Sequence, residues 1–511
     1  MLLVGNLLTR GVGFLLLPLY THVLVAADFS YMEAILNVAT VVSLVAAHGM
    51  TSAMIWALKT GGTRDGDEPD AAEQSRIVSV TSGWAMLAAV MVCGGAMAFA
   101  APLGKLATGG GQHALTMALF VGAQALRDMT YPAEGILKVR FRTVPVAIMA
   151  FGEFLIAVLG NIVAVVVFDL GITGIAAAAV VAAAFRLVLA FAYVPEMRRP
   201  LLDADLIKRL VAYGIPLMPM AIAFNVLSTT DRVLLNQLGF EQAGGLYAYG
   251  DKFARMLEIG LIAPMGMMWP AVFYNIAREP DAQAQFARIA TLLATAGALI
   301  GFGLTLLGAP LARLLDTSVE VPGGFFEQLL ARITHTTGEF EGAAAVIGVL
   351  TVGYVCFGLN DVARVGFSIQ ARNAWLALSV CAAAALNLGL NWIWIPEHGG
   401  LGAAWATTAA YGFMLVFTLA LSARFYPQRW EWGRLLTLVV VFVGGSLAVD
   451  RFAPPDHTWP GLGVRAAALV AAPLVLVAVG FLRPQDKAAL ARLSARLPLA
   501  GRWAQRWLGG A

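Results

Sequence analysis

Apolar residues run along this chain in long blocks, each about as long as a bilayer is thick and each bounded by charged residues, Pro or Gly. A spanning helix needs ~20 mostly apolar residues. Blocks of that kind cover 2–24, 30–58, 77–100, 113–137, 144–168, 172–195, 213–238, 244–275, 287–312, 343–367, 374–395, 401–423, 434–450 and 463–482. The pattern predicts an all-α polytopic membrane protein with about 14 transmembrane helices. The first block carries Arg10, has no basic segment ahead of it and ends without a small-residue cleavage site. It reads as a retained helix and not as a signal peptide.

Composition sharpens this. Charged residues make up 13% of the 511 positions and hydrophobic ones 59%, with a mean hydropathy of +0.77. Soluble domains carry about 25% charged residues. The net charge of +3 is too small to suggest a nucleic-acid partner. Cys93, Cys356 and Cys381 lie in apolar blocks without a CxxC spacing, and the six histidines show no paired metal-ligand spacing. No metal and no resident cofactor are expected.

Orientation follows from Lys and Arg, which favour cytoplasmic connections. With a cytoplasmic N-terminus, one set of connections holds Lys138, Arg140 and Arg142, then Arg198, Arg199, Lys208 and Arg209, and finally the tail with Arg483, Lys487, Arg492 and Arg496. The opposite side holds only Lys105, Arg313, Arg332, Arg451 and Arg465. The bias predicts both termini inside.

The two halves echo each other. "LYTHVLVAADFSYMEA" (Leu19–Ala34) and "LLNQLGFEQAGGLYAYGDK" (Leu234–Lys252) each join two blocks through a short turn ahead of a Tyr, Tyr31 and Tyr247. "DLGITGIAAAAVVAAAFRLVL" (Asp169–Leu189) similarly matches "EHGGLGAAWATTAAYGFMLVF" (Glu397–Phe417). We expect two pseudo-symmetric six-helix bundles, 1–200 and 213–425. A cytoplasmic linker helix at 201–212 would join them. Two extra helices over 426–482 and a basic cytoplasmic tail over 483–511 would follow. Transporters built from repeats place their binding site between the halves near the midplane.

One stretch is more specific. "NLGLNWIWIPEHGGLGAAWATTAA" (Asn387–Ala410) and "YGIPLMPMAIAFNVLSTTDRVLLNQLGFEQAGGLYAYGDKFA" (Tyr213–Ala254) resemble the corresponding segments of bacterial polysaccharide (Wzx-type) flippases. These belong to the multidrug/oligosaccharidyl-lipid/polysaccharide exporter superfamily, with the lipid II flippase and the MATE multidrug exporters. The resemblance spans roughly 1–425 and implies a transporter and not an enzyme. Its implied cargo is an undecaprenyl-pyrophosphate-linked oligosaccharide repeat unit, flipped across the bacterial cytoplasmic (inner) membrane for exopolysaccharide or O-antigen synthesis. Membrane lipids, and a polysaccharide polymerase or export complex, are the implied partners. In the residues themselves, Asn387 and Asn391 are four apart on one helix face, Pro396 and Gly399 end that helix, and Ala403, Ala404 and Ala406 permit close packing. An amide on that face can hydrogen-bond across to a neighbouring helix, so the motif reads as structural and not as a substrate site.

Charges inside the blocks cost ~2.5–3.5 kcal/mol each at a helix centre and face a bundle interior or watery cavity. Arg10, Glu33, Arg127, Asp128, Glu134, Glu153, Arg186, Asp231, Arg232, Asp251, Lys252, Arg255, Glu258 and Asp361 are such residues. Asp251, Arg255 and Glu258 form one helical stripe, and Arg127, Tyr131 and Glu134 another, with Pro132 poised to kink it. These stripes suggest facing walls of a cavity. Arg10, Arg127, Tyr131, Arg232, Lys252 and Arg255 are the candidate substrate contacts, because guanidinium groups bind phosphate oxygens in planar, bidentate fashion. Glu33, Glu134, Asp231, Asp251, Glu258 and Asp361 are candidate brace carboxylates or sites for a coupling H+ or Na+. Glu153 and Arg186 read as lone charges.

The adjacent pair Asp231–Arg232 projects ~100° apart on a helix, so the two do not pair with each other. Either Arg232 faces the cavity while Asp231 braces a neighbour, or the reverse. Internal ion pairing is the competing role for every one of these charges. Two other functions compete with flipping: a MATE-like cation-coupled drug antiporter, and a membrane-embedded polymerase or glycosyltransferase using the long connection 313–342.

Overall fold

The computed structural model describes residues 24–62, 69–110, 113–316, 343–370, 372–454, 458–483 and 486. The first apolar block with Arg10, most of the 313–342 connection and the basic tail beyond Asp486 lie outside the described residues. The described chain is helical throughout, without strands.

The longer helices, numbered in order, are α1 (Ala26–Ala47), α2 (Met50–Thr60), α3 (Ala71–Ala88), α4 (Ala100–Thr108), α5 (Ala114–Asp128), α6 (Tyr131–Val139), α7 (Thr143–Asn161) and α8 (Gly171–Tyr193). They continue with α9 (Ala204–Gly214), α10 (Met218–Gln237), α11 (Glu241–Ala254), α12 (Ala263–Ile276) and α13 (Ala282–Asp316). The last are α14 (Ala343–Ala363), α15 (Asn373–Ser422), α16 (Trp432–Phe452) and α17 (Trp459–Ala478). Such an all-helical build is what a bilayer imposes, because a helix satisfies every backbone N–H and C=O internally.

Among the described residues, ten helical stretches are long and apolar enough to cross a membrane, and the chain is a multi-pass membrane protein. One stretch, Ala374–Ser422, holds two of the expected crossings. Its backbone breaks at Gly399, with φ 54° and ψ −131°, a conformation that glycine alone adopts without strain. The expected turn after Pro396 is therefore present. Expected crossings 113–137 and 244–275 are also helical but interrupted, the first at Met129–Thr130 ahead of Pro132 and the second by a wide turn over Glu258–Ile262.

Two contacts position the charged interior. Helix α9 is capped by Asp203, whose carboxylate accepts from the backbone N–H groups of Asp205 and Leu206, both at 3.1 Å. Its apolar face, Leu206 and Leu210, packs with Met54 and Leu58 of α2 and Ile77 of α3. Helix α1 packs against both α10 and α11. There Gly245 brings the α11 backbone so close to α1 that a Cβ would lie 2.0 Å from the Ala26 carbonyl oxygen. Small residues at such crossings gain packing and hydrogen bonds where lipid removes the hydrophobic drive between helices. Ser30 Oγ donates to Asn236 Oδ1 at 2.6 Å, and Asn236 Nδ2 reaches the Ala107 carbonyl at 3.2 Å. Lower in the same seam, Asn37 Nδ2 donates to the Thr229 carbonyl at 2.8 Å and Thr229 Oγ1 to Asn37 Oδ1 at 2.7 Å.

Candidate functional site

Asp231 and Arg232 are consecutive on α10, and the turn between them sends each into a different network. Asp231 is fully buried and points to α15. It accepts from Asn391 Nδ2 at 2.6 Å, from Thr407 Oγ1 at 2.8 Å and from the Tyr247 hydroxyl of α11. Asn391 Nδ2 also donates to Asn387 Oδ1 at 3.0 Å, and Asn387 Nδ2 to Thr407 Oγ1 at 3.2 Å. Every donor on this carboxylate is neutral. The hydrogen bond expected from the asparagine motif to a neighbouring helix is present, and its acceptor is a buried carboxylate.

Arg232 turns the other way, toward α11 and α1. Its Nη2 pairs with Asp251 Oδ2, and its Nε lies 3.7 Å from Glu33 Oε2. Glu33 Oε1 in turn takes Lys252 Nζ at 2.7 Å. Asp251 is the hub of the group, accepting also from Arg255 Nη2 at 3.0 Å and from the Tyr354 hydroxyl of α14 at 2.7 Å. Arg255 reaches on to Glu258 at 3.7 Å. The stripe Asp251, Arg255, Glu258 is thus joined along its length by ion pairs. The order Lys252, Glu33, Arg232, Asp251, Arg255, Glu258 alternates in sign, three cations against three carboxylates. Arg232 retains only 4% side-chain exposure, whereas Arg255 keeps 28%. Access to this ladder therefore comes from the Arg255 end or from the Lys252–Glu33 pair.

A second charged group joins α5, α6, α7 and α8. Arg127 Nε pairs with Glu153 Oε1 at 2.5 Å and its Nη1 donates to Gln124 Oε1 at 3.2 Å. Arg186 bridges Glu153 and Glu134, and Lys138 takes the other Glu134 oxygen at 2.9 Å. Glu153 and Arg186, expected alone, are partners of each other. Single-chain spacing does not show a pair formed between two helices. Tyr131 is buried and donates to the Thr81 carbonyl at 3.2 Å, a tie to α3. The break before Pro132 interrupts the stripe Arg127, Tyr131, Glu134. Asp361 pairs with Arg364 at 2.8 Å. Arg10 lies outside the described residues.

Tyr247, Tyr354 and Thr407 were not among the residues singled out from the sequence. The short turn ahead of Tyr247 is a repeat feature and Thr407 lies in the quoted stretch Asn387–Ala410, but Tyr354 has no signal beyond sitting in an apolar block. Among the described residues no group of three or more His, Cys, Asp or Glu is placed to hold a metal. A cleft of about 630 Å³ lies elsewhere, lined by Glu279, Asp281, Tyr426, Arg429, Trp430 and Arg483. It includes none of the intramembrane charges, so volume alone is a poor guide to the site.

The whole-chain fold has known counterparts. The lipid II flippase MurJ in an inward closed conformation superposes with a TM-score of 0.72 at 12% identity, over 94% of this chain and 98% of that one. An inward-facing multidrug resistance MATE transporter of the MOP superfamily gives 0.61 at 11% identity, over 84% and 95%. A MATE transporter from Vibrio cholerae gives 0.55 at 15% identity, over 83% and 94%. At these identities the likeness is one of fold. No curated protein sequence matches the chain. The family model described as polysaccharide biosynthesis protein matches residues 1–274. With more than half of its length matched, the chain belongs to the polysaccharide biosynthesis protein family.

Proposed function

We propose that this protein flips an undecaprenyl-pyrophosphate-linked oligosaccharide from the inner to the outer leaflet of a bacterial cytoplasmic membrane. Two six-helix halves, 1–200 and 213–425, would rock about the seam between α1 and the α10–α11 pair. The arrangement would have fourteen crossings and both termini inside. The observation that carries this reading is the grouping of Arg232, Lys252 and Arg255 at that seam, in a chain of the polysaccharide biosynthesis family. A pyrophosphate leaving water needs fixed cations, and in a low-dielectric interior such contacts are far stronger than in water. Arg127 and Arg10 would serve the sugar and phosphates from the first half.

The carboxylates divide by partner. Glu33, Glu134, Asp251, Glu258 and Asp361 are paired with cations and act as braces. Asp231 has no ion pair among the described residues, and its oxygens accept from the Asn391 amide and from the hydroxyl groups of Thr407 and Tyr247. Asn391 Oδ1 is buried without a hydrogen-bond partner. A buried carboxylate that no protein cation offsets suits a coupling cation, which makes Asp231 the position for H+ or Na+ in this reading.

The test is translocation of a fluorescent undecaprenyl-pyrophosphate oligosaccharide in liposomes, with H+ and Na+ gradients imposed in turn. Wild type should translocate, and Arg255→Ala and Arg10→Ala should lose most of that activity while staying folded. Absence of translocation by folded wild type, with export of organic cations in the same vesicles, would establish the antiporter reading that the MATE-like fold leaves as second.

A further inference from the structure

The ladder poses a difficulty for any anionic cargo: each of its cations is already neutralised by a carboxylate of the protein. One of those carboxylates differs from the rest. Asp251 and Glu258 belong to the same run of chain as Lys252 and Arg255, but Glu33 comes from α1. Its bonds to Lys252 and Arg232 are therefore also bonds between α1 and the α10–α11 pair. The fit is incomplete. Glu33 Oε1 reaches Lys252 at 2.7 Å, but Oε2 stops 3.7 Å from Arg232 Nε, beyond hydrogen-bond length. That Nε is buried and has no hydrogen-bond partner. A planar carboxylate with two oxygens does not satisfy both cations. The pyrophosphate of a lipid-linked sugar, with four non-bridging oxygens and two negative charges spread over two tetrahedral phosphorus atoms, can engage the ammonium and the guanidinium Nε together.

We propose that Glu33 is a displaceable internal counter-anion: the pyrophosphate of the cargo takes its place on Lys252 and Arg232, and this exchange frees α1 from α11. The inference rests on the flippase reading and adds how cargo binding is coupled to opening. While the site is empty, Glu33 offsets Lys252 and, together with Asp251, the buried Arg232, and holds the seam shut. Lys252 and Glu33 are reachable, with 18% and 13% side-chain exposure. Once phosphate oxygens replace Glu33, the seam loses its inter-helix ion pair and keeps close packing and neutral side-chain hydrogen bonds such as Ser30–Asn236 and Asn37–Thr229. Each such bond is worth only about 0.5–1.5 kcal/mol net. Specificity follows as well: a neutral or cationic solute gains nothing from displacing Glu33, so the seam opens for an anionic headgroup.

The test uses the full chain in nanodiscs with inorganic pyrophosphate as probe, and needs no translocation. Titration calorimetry on Glu33→Gln should show binding at least about fivefold tighter than wild type, the lower range of a thermodynamic coupling between two sites. In parallel, Ser30→Cys with Asn236→Cys, in a background lacking Cys93, Cys356 and Cys381, is treated with a short bifunctional cross-linker. Pyrophosphate should lower the cross-linking yield when Glu33 is present. Unchanged or weaker binding by Glu33→Gln, or a yield indifferent to pyrophosphate, overturns the proposal. Should Glu33→Gln not fold, Glu33→Asp serves instead: pulling the carboxylate back by one methylene should also tighten binding, and no tightening overturns the idea. A wild type that binds pyrophosphate in this way but never moves the lipid-linked cargo would sink the flippase reading and leave the counter-anion exchange standing.

Discussion

Asn391 donates a 2.6 Å hydrogen bond to Asp231, tying α15 to α10 at a point where both side chains are fully buried. That bond decides how α10 is rotated. With Asp231 held toward α15, the next side chain, Arg232, turns to Asp251 and Glu33. Of the two possible orientations, the structure has Asp231 toward α15 and Arg232 in the ladder.

Removing one donor from that carboxylate leaves a buried charge short of a partner. Asn391→Ala should cost about 1–3 kcal/mol. In a double-mutant cycle with Asp231→Asn, the two changes should couple by more than about 0.5 kcal/mol, since they share one network. Thermal unfolding of the purified protein in detergent measures both; simple additivity would show that the bond contributes nothing specific.

Asp251 is the hub for Arg232, Arg255 and Tyr354, so its loss leaves buried cations uncompensated. Asp251→Ala should destabilise by about 3–5 kcal/mol, the usual cost of breaking a buried pair by removing one partner. Glu258→Ala, at the end of the ladder and 3.7 Å from Arg255, should cost clearly less. Comparing expression level and melting temperature of the two variants checks the order, and equal losses would contradict it.

Gly245 is required by distance and not by dihedral angle. In Gly245→Ala the new methyl would meet the Ala26 carbonyl oxygen at 2.0 Å, and backbone on both sides has no flexible end to yield. A loss of about 1–3 kcal/mol is expected from such overpacking. Gly389→Ala, where nothing lies within 4 Å, is the control and should be neutral or slightly stabilising through helix propensity.

A pH effect is expected at the far end of the chain. Burial alone would raise the Asp486 carboxyl, but the Arg483 backbone N–H and the Arg434 and Arg288 guanidinium groups outweigh it and hold the group below its ordinary value. Asp486 accepts from Arg288 at 2.9 Å and from Arg434 at 2.8 Å, linking α13 and α16 to the segment after α17. A carboxyl depressed on folding contributes stability that is complete above the unfolded value of 3.8 and is lost as pH falls through the lower folded value. Asp486→Asn should therefore lower the melting temperature at neutral pH and flatten its decline below about pH 4. A variant curve that runs parallel to wild type down to pH 3 would contradict this.

Much of the fold was legible because a bilayer leaves few choices. Apolar blocks of the required length mark helices, and a Pro or Gly between them marks a break, as Gly399 does inside Ala374–Ser422. A helix expected over 201–212 is present at Ala204–Gly214, with Leu206 and Leu210 on one face behind the Asp203 cap. What spacing along a single helix conveys is which side chains share a face. Asp251, Arg255 and Glu258 were read correctly as one stripe for that reason. Spacing says nothing of the helix opposite, so Glu153 and Arg186 looked solitary, and the partner that the Asn391 amide reaches had no signal.

From its sequence alone this chain is determined as a helical, multi-pass membrane protein with an unusual number of charges in its crossings, because hydropathy and helix periodicity are local properties. Only the tertiary structure decided which charges meet. Ion pairs such as Lys252–Glu33 and Arg186–Glu134 join residues far apart in the chain, and their existence depends on the rotation and close approach of whole helices. That rotation is supported by contacts such as Asn391 with Asp231 and Gly245 with Ala26, whose residue types the sequence shows but whose pairing only the packed helices reveal.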